Sequence, residues 1–292
     1  MAAHITLEND ILTAKVLSKG AELFSIVNKQ TGLQYMWNAD PAFWAKTSPI
    51  LFPIVGTLGD DTFLYKNREY KLSRHGFARD TEFEVKRSGN MDAAFSITST
   101  PESLMKYPFD FQLKVKYELE GNSLSVKYIV HNKGVETMYF SIGGHPAFKV
   151  PLMDGTNYED YFLLFNKVEN TPRWPISSNG LIKPSPVNFL NNSDKMQLTK
   201  GLFYEDAIVL KHLRSDCISV RSDVHEHGLD FHFEGFPFFG IWAAKNANFV
   251  CLEPWCGIAD SVNHDKELTT KEGIENLSPN EFWSRVWKVT LY

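Results

Sequence analysis

Residues 111–119 read FQLKVKYEL, with Phe111, Leu113, Val115, Tyr117 and Leu119 separated one by one by Gln112, Lys114, Lys116 and Glu118. A period of two cannot place its apolar residues on one side of a helix, but on a strand it gives one dry face and one wet face. Gly121-Asn122 follows. Leu124, Val126, Tyr128 and Val130 then alternate with Ser125, Lys127 and His131. The pair reads as a β-hairpin. The same signature marks residues 13–24, 82–86, 206–211, 217–221, 228–233, 249–252 and 283–291 as strands. With 22 Phe, 11 Tyr and 7 Trp, the aromatic content favours strands too.

Helical signals are few. Asp40-Pro41 before AFWAKT reads as an N-cap with Pro at the first helical position, predicting one or two turns. Residues 166–192, rich in Pro, Asn and Ser, read as a long excursion within one domain, because alternation resumes on both sides. The expectation is an all-β chain, a large antiparallel β-sandwich formed as one domain over residues 1–292.

Several function classes are disfavoured. A formal net charge of −5 does not suit nucleic acid, which calls for a basic stripe. The N-terminal residues, broken by Glu8, Asp10 and Lys15, do not read as a signal peptide, and no apolar run is long enough to span a membrane. Cys217, Cys251 and Cys256 form neither a disulfide framework nor a zinc-ribbon pattern, so a reducing cytoplasm is expected. No G-x-S-x-G is present, and GTLGDD at residues 56–61 lacks the lysine and helix of a phosphate loop. His225, His227 and His232 read as a solvated histidine loop rather than a metal site.

Three stretches break the alternation with ionisable groups beside glycine or proline: SRHGFARD (73–80), SIGGHPAF (141–148) and VCLEPWCGIAD (250–260). They carry His75, His145 and Glu253. Each places an acid or base at the end of an apolar strand, where small or rigid neighbours let another group approach. A carboxyl held in apolar surroundings has its pKa raised toward the range of a general base. The expectation is acid–base chemistry with no cofactor and no metal.

The chain resembles the aldose 1-epimerase (mutarotase) superfamily, most closely its lactose-operon-associated branch. The resemblance is carried by SPILFPIVG (48–56), RHGFARD, GGHPAF, LFYEDAIVL (202–210), FGIWAAK (239–245), LEPWCGIAD and ELTTKEGIENLSPNE (267–281), in that order. It implies a galactose mutarotase-like β-supersandwich with a cleft for an aldopyranose. It implies Glu253 as general base toward the anomeric hydroxyl, His145 as general acid toward the ring oxygen, and His75 as a hydrogen-bonding partner of the sugar. By the same resemblance Asp206 binds sugar hydroxyls and Arg79 reaches into the cleft, with Arg74 beside it. Phe77, Trp242 and Trp255 are candidates to stack on the sugar.

One position departs from the pattern. Relatives commonly carry an arginine after FPIVG, where this chain has Thr57, followed by Asp60 and Asp61. Phosphate prefers Arg and is repelled by Asp, so the expected substrate is a free aldohexose. Arg74 and Arg79 keep a hexose-6-phosphate 1-epimerase open as an alternative, and Thr57 keeps open a non-catalytic sugar-binding module. A homodimer also stays open, since alternation does not locate an exposed apolar patch.

Overall fold

The computed structural model describes residues 4–292. The expected hairpin forms as Phe111–Glu120 and Ser123–Asn132, whose antiparallel register pairs Leu124 with Leu119 and Val130 with Leu113. These strands belong to a nine-stranded antiparallel sheet that runs from Val187–Gln197 at one edge to Glu84–Arg87 at the other. A second, six-stranded sheet contains Ile208–Lys211, Phe238–Trp242, Phe249–Cys256, Ile142–Gly144 and Ile50–Leu51, with Ala147–Lys149 also paired to Phe249–Cys256. The fold is thus mostly antiparallel sheet, as the alternation predicts.

The two sheets meet face to face. Phe231 of the large sheet packs on Phe148 and Phe239 of the small one, with ring centroids 5.8 and 6.2 Å apart. The hydrophobic cluster around them draws buried side chains from Leu7 to Leu291. Within Phe249–Cys256, alternate residues face opposite ways. Val250 and Leu252 share one face, and Cys251, Glu253 and Trp255 share the other.

Several elements differ from expectation. Residues 13–24 form two strands, Leu12–Leu17 and Leu23–Asn28, because Gly20 and Ala21 turn the chain with φ of 71° and 46°. Asp40 does bond as a cap, its Oδ1 accepting from Ala42 N–H at 2.9 Å, but the segment remains a turn. Buried Glu22 captures the Thr47 N–H at 2.6 Å, so the chain is diverted before a helix can propagate. The α-helix among the described residues is Pro101–Lys106, with a Thr100/Ser103 capping box. Tyr161–Arg173 and Val187–Gln197 pair with register shifts and absorb most of the 166–192 excursion. No helix among the described residues is long and apolar enough to cross a membrane.

Candidate active site

The key pairing is a cross-strand one. Gly143 lies opposite Trp255 and Ala147 lies opposite Cys251, so the same antiparallel register holds on both sides of His145. His145 therefore faces Glu253. Pro146 has no N–H to give, and the ladder opens at this point. The Pro146 carbonyl still accepts from Leu252 N–H at 3.1 Å, and the His145 N–H turns away to the Pro49 carbonyl at 3.1 Å. Cross-strand side chains on one face stand close together. Here His145 Nε2 is 3.3 Å from Glu253 Oε2, with the two residues 8% and 2% exposed.

Glu253 was expected at a strand end. It lies instead inside Phe249–Cys256, a strand buried along its whole length. On its other side it pairs with Gly240, and the Trp255 indole covers that glycine. Gly143 is needed for close approach: a Cβ there would lie 2.6 Å from Trp255 Cδ1 and 2.9 Å from the Pro254 carbonyl.

His75 reaches the site from a turn in which it and Gly76 both have positive φ, 69° and 70°. Its N–H donates to the Gly56 carbonyl at 2.9 Å, and Gly56 N–H donates to His75 Nδ1 at 3.1 Å. An accepting Nδ1 leaves the neutral ring with its proton on Nε2. The His75 and His145 rings meet edge to face, centroids 5.8 Å apart.

These three residues line a cavity of about 460 Å³, a size suited to a small molecule. Arg74, Arg79, Asp206 and Trp242 line it as well, so the expected binding residues converge. Arg74 is half-exposed and lies 3.9 Å from Asp206 Oδ1. Arg79 Nε, 3.6 Å from Asp80, is buried without a hydrogen bond. Trp255 also lines the cavity, and its buried indole N–H makes no well-formed hydrogen bond but lies close enough to Glu253 to favour its charged form. Phe77 does not join them: it packs in the core against Phe52, Tyr107 and Phe111.

Burial dominates the electrostatics. It pushes the Glu253 carboxyl well above the usual carboxylate range, against the pull of Arg74 and the Trp255 indole. It also lowers His145 to about 3, assisted by the positive charges of Arg74 and Arg79. His75 is held neutral by burial and by His145. Burial thus opposes charge on both partners, favouring the protonated carboxyl and the neutral imidazole.

Some contributors carried no sequence signal. Trp44, inside the segment read as helical, stacks on His145 at 4.8 Å with rings 30° apart, while Trp242 meets the same imidazole edge-on at 5.5 Å. Glu22, also buried, accepts from the N–H groups of Thr47 and Ser48 at 2.6 and 3.2 Å. Since Thr47 and Pro49 carbonyls hold the Ala147 and His145 N–H groups, Glu22 fixes the segment that frames His145. At the departing position, Gly180 packs against Thr57. A Cβ on Gly180 would lie 2.6 Å from Thr57 Oγ1. Ile176 and Ile182 give the cavity an apolar wall. Asp60 turns outward to Lys266 at 2.7 Å. His225 donates to or accepts from Tyr161 Oη at 2.7 Å, away from this cavity.

The family whose model matches the chain is described as Aldose 1-epimerase, over residues 3–284. The plasmid-encoded protein LacX of Lactococcus lactis subsp. lactis is 36% identical over 296 residues, covering 98% of this chain and 99% of that one. The solved structure of a galactose mutarotase related enzyme from Lactobacillus acidophilus superposes with a TM-score of 0.95 at 33% identity, covering 99% and 97% of the two chains. A galactose mutarotase-like protein from Lactobacillus casei gives 0.94 at 31% identity, covering 99% and 100%.

Proposed function

The chain belongs to the aldose 1-epimerase family, and from that premise we propose that it interconverts the α and β anomers of a free aldohexose. The observation that carries this reading is the buried cross-strand pair of His145 and Glu253 in the cavity floor.

The chemistry needs two proton transfers and no electron transfer. Glu253 as carboxylate takes the proton of the anomeric hydroxyl while imidazolium His145 gives one to the ring oxygen. The bond from C1 to the ring oxygen breaks and C1 becomes an aldehyde carbon. Rotation about C1–C2 presents the other carbonyl face. Closure returns the ring proton to His145 and the Glu253 proton to the new anomeric hydroxyl. The carboxylate–imidazolium form that acts first and the acid–imidazole form that burial favours hold the same number of protons, so one shift across 3.3 Å interconverts them. Such positioned groups contribute about 10²–10⁴-fold each. His75 offers its Nε2–H to the substrate, and Arg79, Asp206 and the Trp255 indole N–H supply further hydrogen-bonding groups.

A hexose-6-phosphate 1-epimerase is favoured only by Arg74 and Arg79 facing the cavity. Glu205 and Asp206 facing the same cavity and the apolar lining of Ile176 and Ile182 oppose a dianion. Polarimetric relaxation of glucose against glucose 6-phosphate separates the two, with faster turnover of free glucose expected. Sugar binding by calorimetry without accelerated relaxation would mark a binding module instead.

A further inference from the structure

The acid–base pair leaves one ionisable neighbour unused. Cys251 stands two residues before Glu253 on the same strand, so both side chains leave by the same face, and His145 lies across from Glu253 on the adjoining strand. One ligand atom from each of His145, Cys251 and Glu253 falls within 4.8 Å of the others, and all three residues are buried. Cys251 is fully buried and carries no hydrogen-bond role in the mechanism. Its cross-strand partners are the small Ala147 on one side and Trp242, which also meets the His145 ring, on the other. Above the group, Trp44 and Trp242 hold the His145 ring from two sides.

We propose that His145, Cys251 and Glu253 form a binding site for a thiophilic divalent cation of the zinc class, and that the bound cation shuts off the sugar site. A thiolate, an imidazole and a carboxylate are the donors zinc takes, and three protein ligands leave the fourth position of a tetrahedron for water. Ligands about 2.0–2.3 Å from zinc stand about 3.3–3.7 Å apart. His145 and Glu253 are already at 3.3 Å, and the thiol needs to close by about 1 Å. Two of the ligands line the cavity, which provides the path of entry. The thiolate selects against magnesium and calcium, which prefer oxygen ligands. On binding, the cation replaces the Cys251 thiol proton and any proton on Glu253, and these pass to solvent. The coordinated pair then has neither a free base nor a free acid.

Blocking of activity rests on the function proposed above, whereas cation binding does not, so cobalt(II) spectroscopy is the primary test. Adding cobalt(II) to the intact protein is expected to produce a thiolate-to-cobalt charge-transfer band and intense tetrahedral bands at one equivalent. Both persist in Cys217→Ser, and the charge-transfer band disappears in Cys251→Ser. Zinc, and not magnesium, is expected to slow sugar relaxation by the wild type. Cys251→Ser keeps its basal rate and needs more than about 10-fold more zinc for the same inhibition, the scale known for loss of even an outer-shell partner. Absence of the charge-transfer band, or its survival in Cys251→Ser, overturns the site. Equal zinc inhibition of wild type and Cys251→Ser overturns its link to the sugar cavity. A protein that binds cobalt through Cys251 yet never accelerates relaxation keeps the cation site and loses the epimerase reading.

Discussion

His145 Nε2 stands 3.3 Å from Glu253 Oε2 because two antiparallel strands keep one register on either side of a proline-opened gap. Burial lowers His145 and raises Glu253, so between those two limits the pair holds one transferable proton. Below about 3, His145 is protonated beside an already protonated Glu253, and the base is gone. Above the raised carboxyl value, the pair has lost its proton and the acid is gone. The kcat/KM profile is therefore expected to show a plateau bounded by these two groups, with its acid limb near 3. Its alkaline limb belongs to a carboxyl group displaced upward from the usual range. Arg74 lowers both groups, so Arg74→Ala is expected to move both limbs to higher pH. An unchanged profile in that variant contradicts the assignment.

His75 is expected to be neutral with its proton on Nε2, since Gly56 N–H occupies Nδ1 and burial opposes charging. The ¹⁵N shifts of the ring at neutral pH report the tautomer directly. A neutral ring with its proton on Nδ1 would remove His75 as a donor to the sugar, and a ring that charges near the ordinary histidine value would contradict an Nδ1 that accepts from Gly56.

Glu22 is expected to affect catalysis through Thr47 and Ser48, which it holds by hydrogen bonds, and the adjoining Pro49, and not by touching substrate. Glu22→Ala leaves two buried N–H groups without acceptors, a cost of about 1–3 kcal/mol each. It is expected to lower Tm and to reduce kcat more than it raises KM. Glu22→Gln keeps an accepting oxygen and is expected to rescue most of kcat. A merely structural role would lower Tm with kcat intact.

Gly143→Ala drives a Cβ into Trp255 and the Pro254 carbonyl, both flanking or adjoining Glu253. Overpacking of this kind costs about 1–3 kcal/mol. Urea unfolding is expected to show that loss, together with a fall in activity larger than the loss of folded protein explains.

Strict alternation made the sheets legible, because each wet–dry repeat, as in 111–119 and 124–130, needs only its own strand to be read. The burial of Glu253 was less legible. The Glu-Pro-Trp sequence looks like a strand end, and only the neighbouring strands on both sides carry the pairing through it. Trp44 could not be found, since its role depends on Glu22 diverting the chain over His145. Cys251 did have a signal: its spacing of two from Glu253 places both on one face once the strand is known to continue. The turn at residues 39–46 misled because capping bonds start a helix but do not sustain it against a buried competing carboxylate.

The central claim is that this cross-strand pair opens and closes a sugar ring. The most direct measurement is polarimetric relaxation of freshly dissolved α-glucose and α-galactose, with wild type, Glu253→Gln, His145→Asn and the double variant. Wild type is expected to accelerate relaxation well above solvent. Each single variant is expected to lose about 10²–10⁴-fold in kcat, and the double variant little more than the worse single one, since the two groups act as a unit. Relaxation no faster than solvent with wild type, or an undiminished rate in either single variant, would contradict the account.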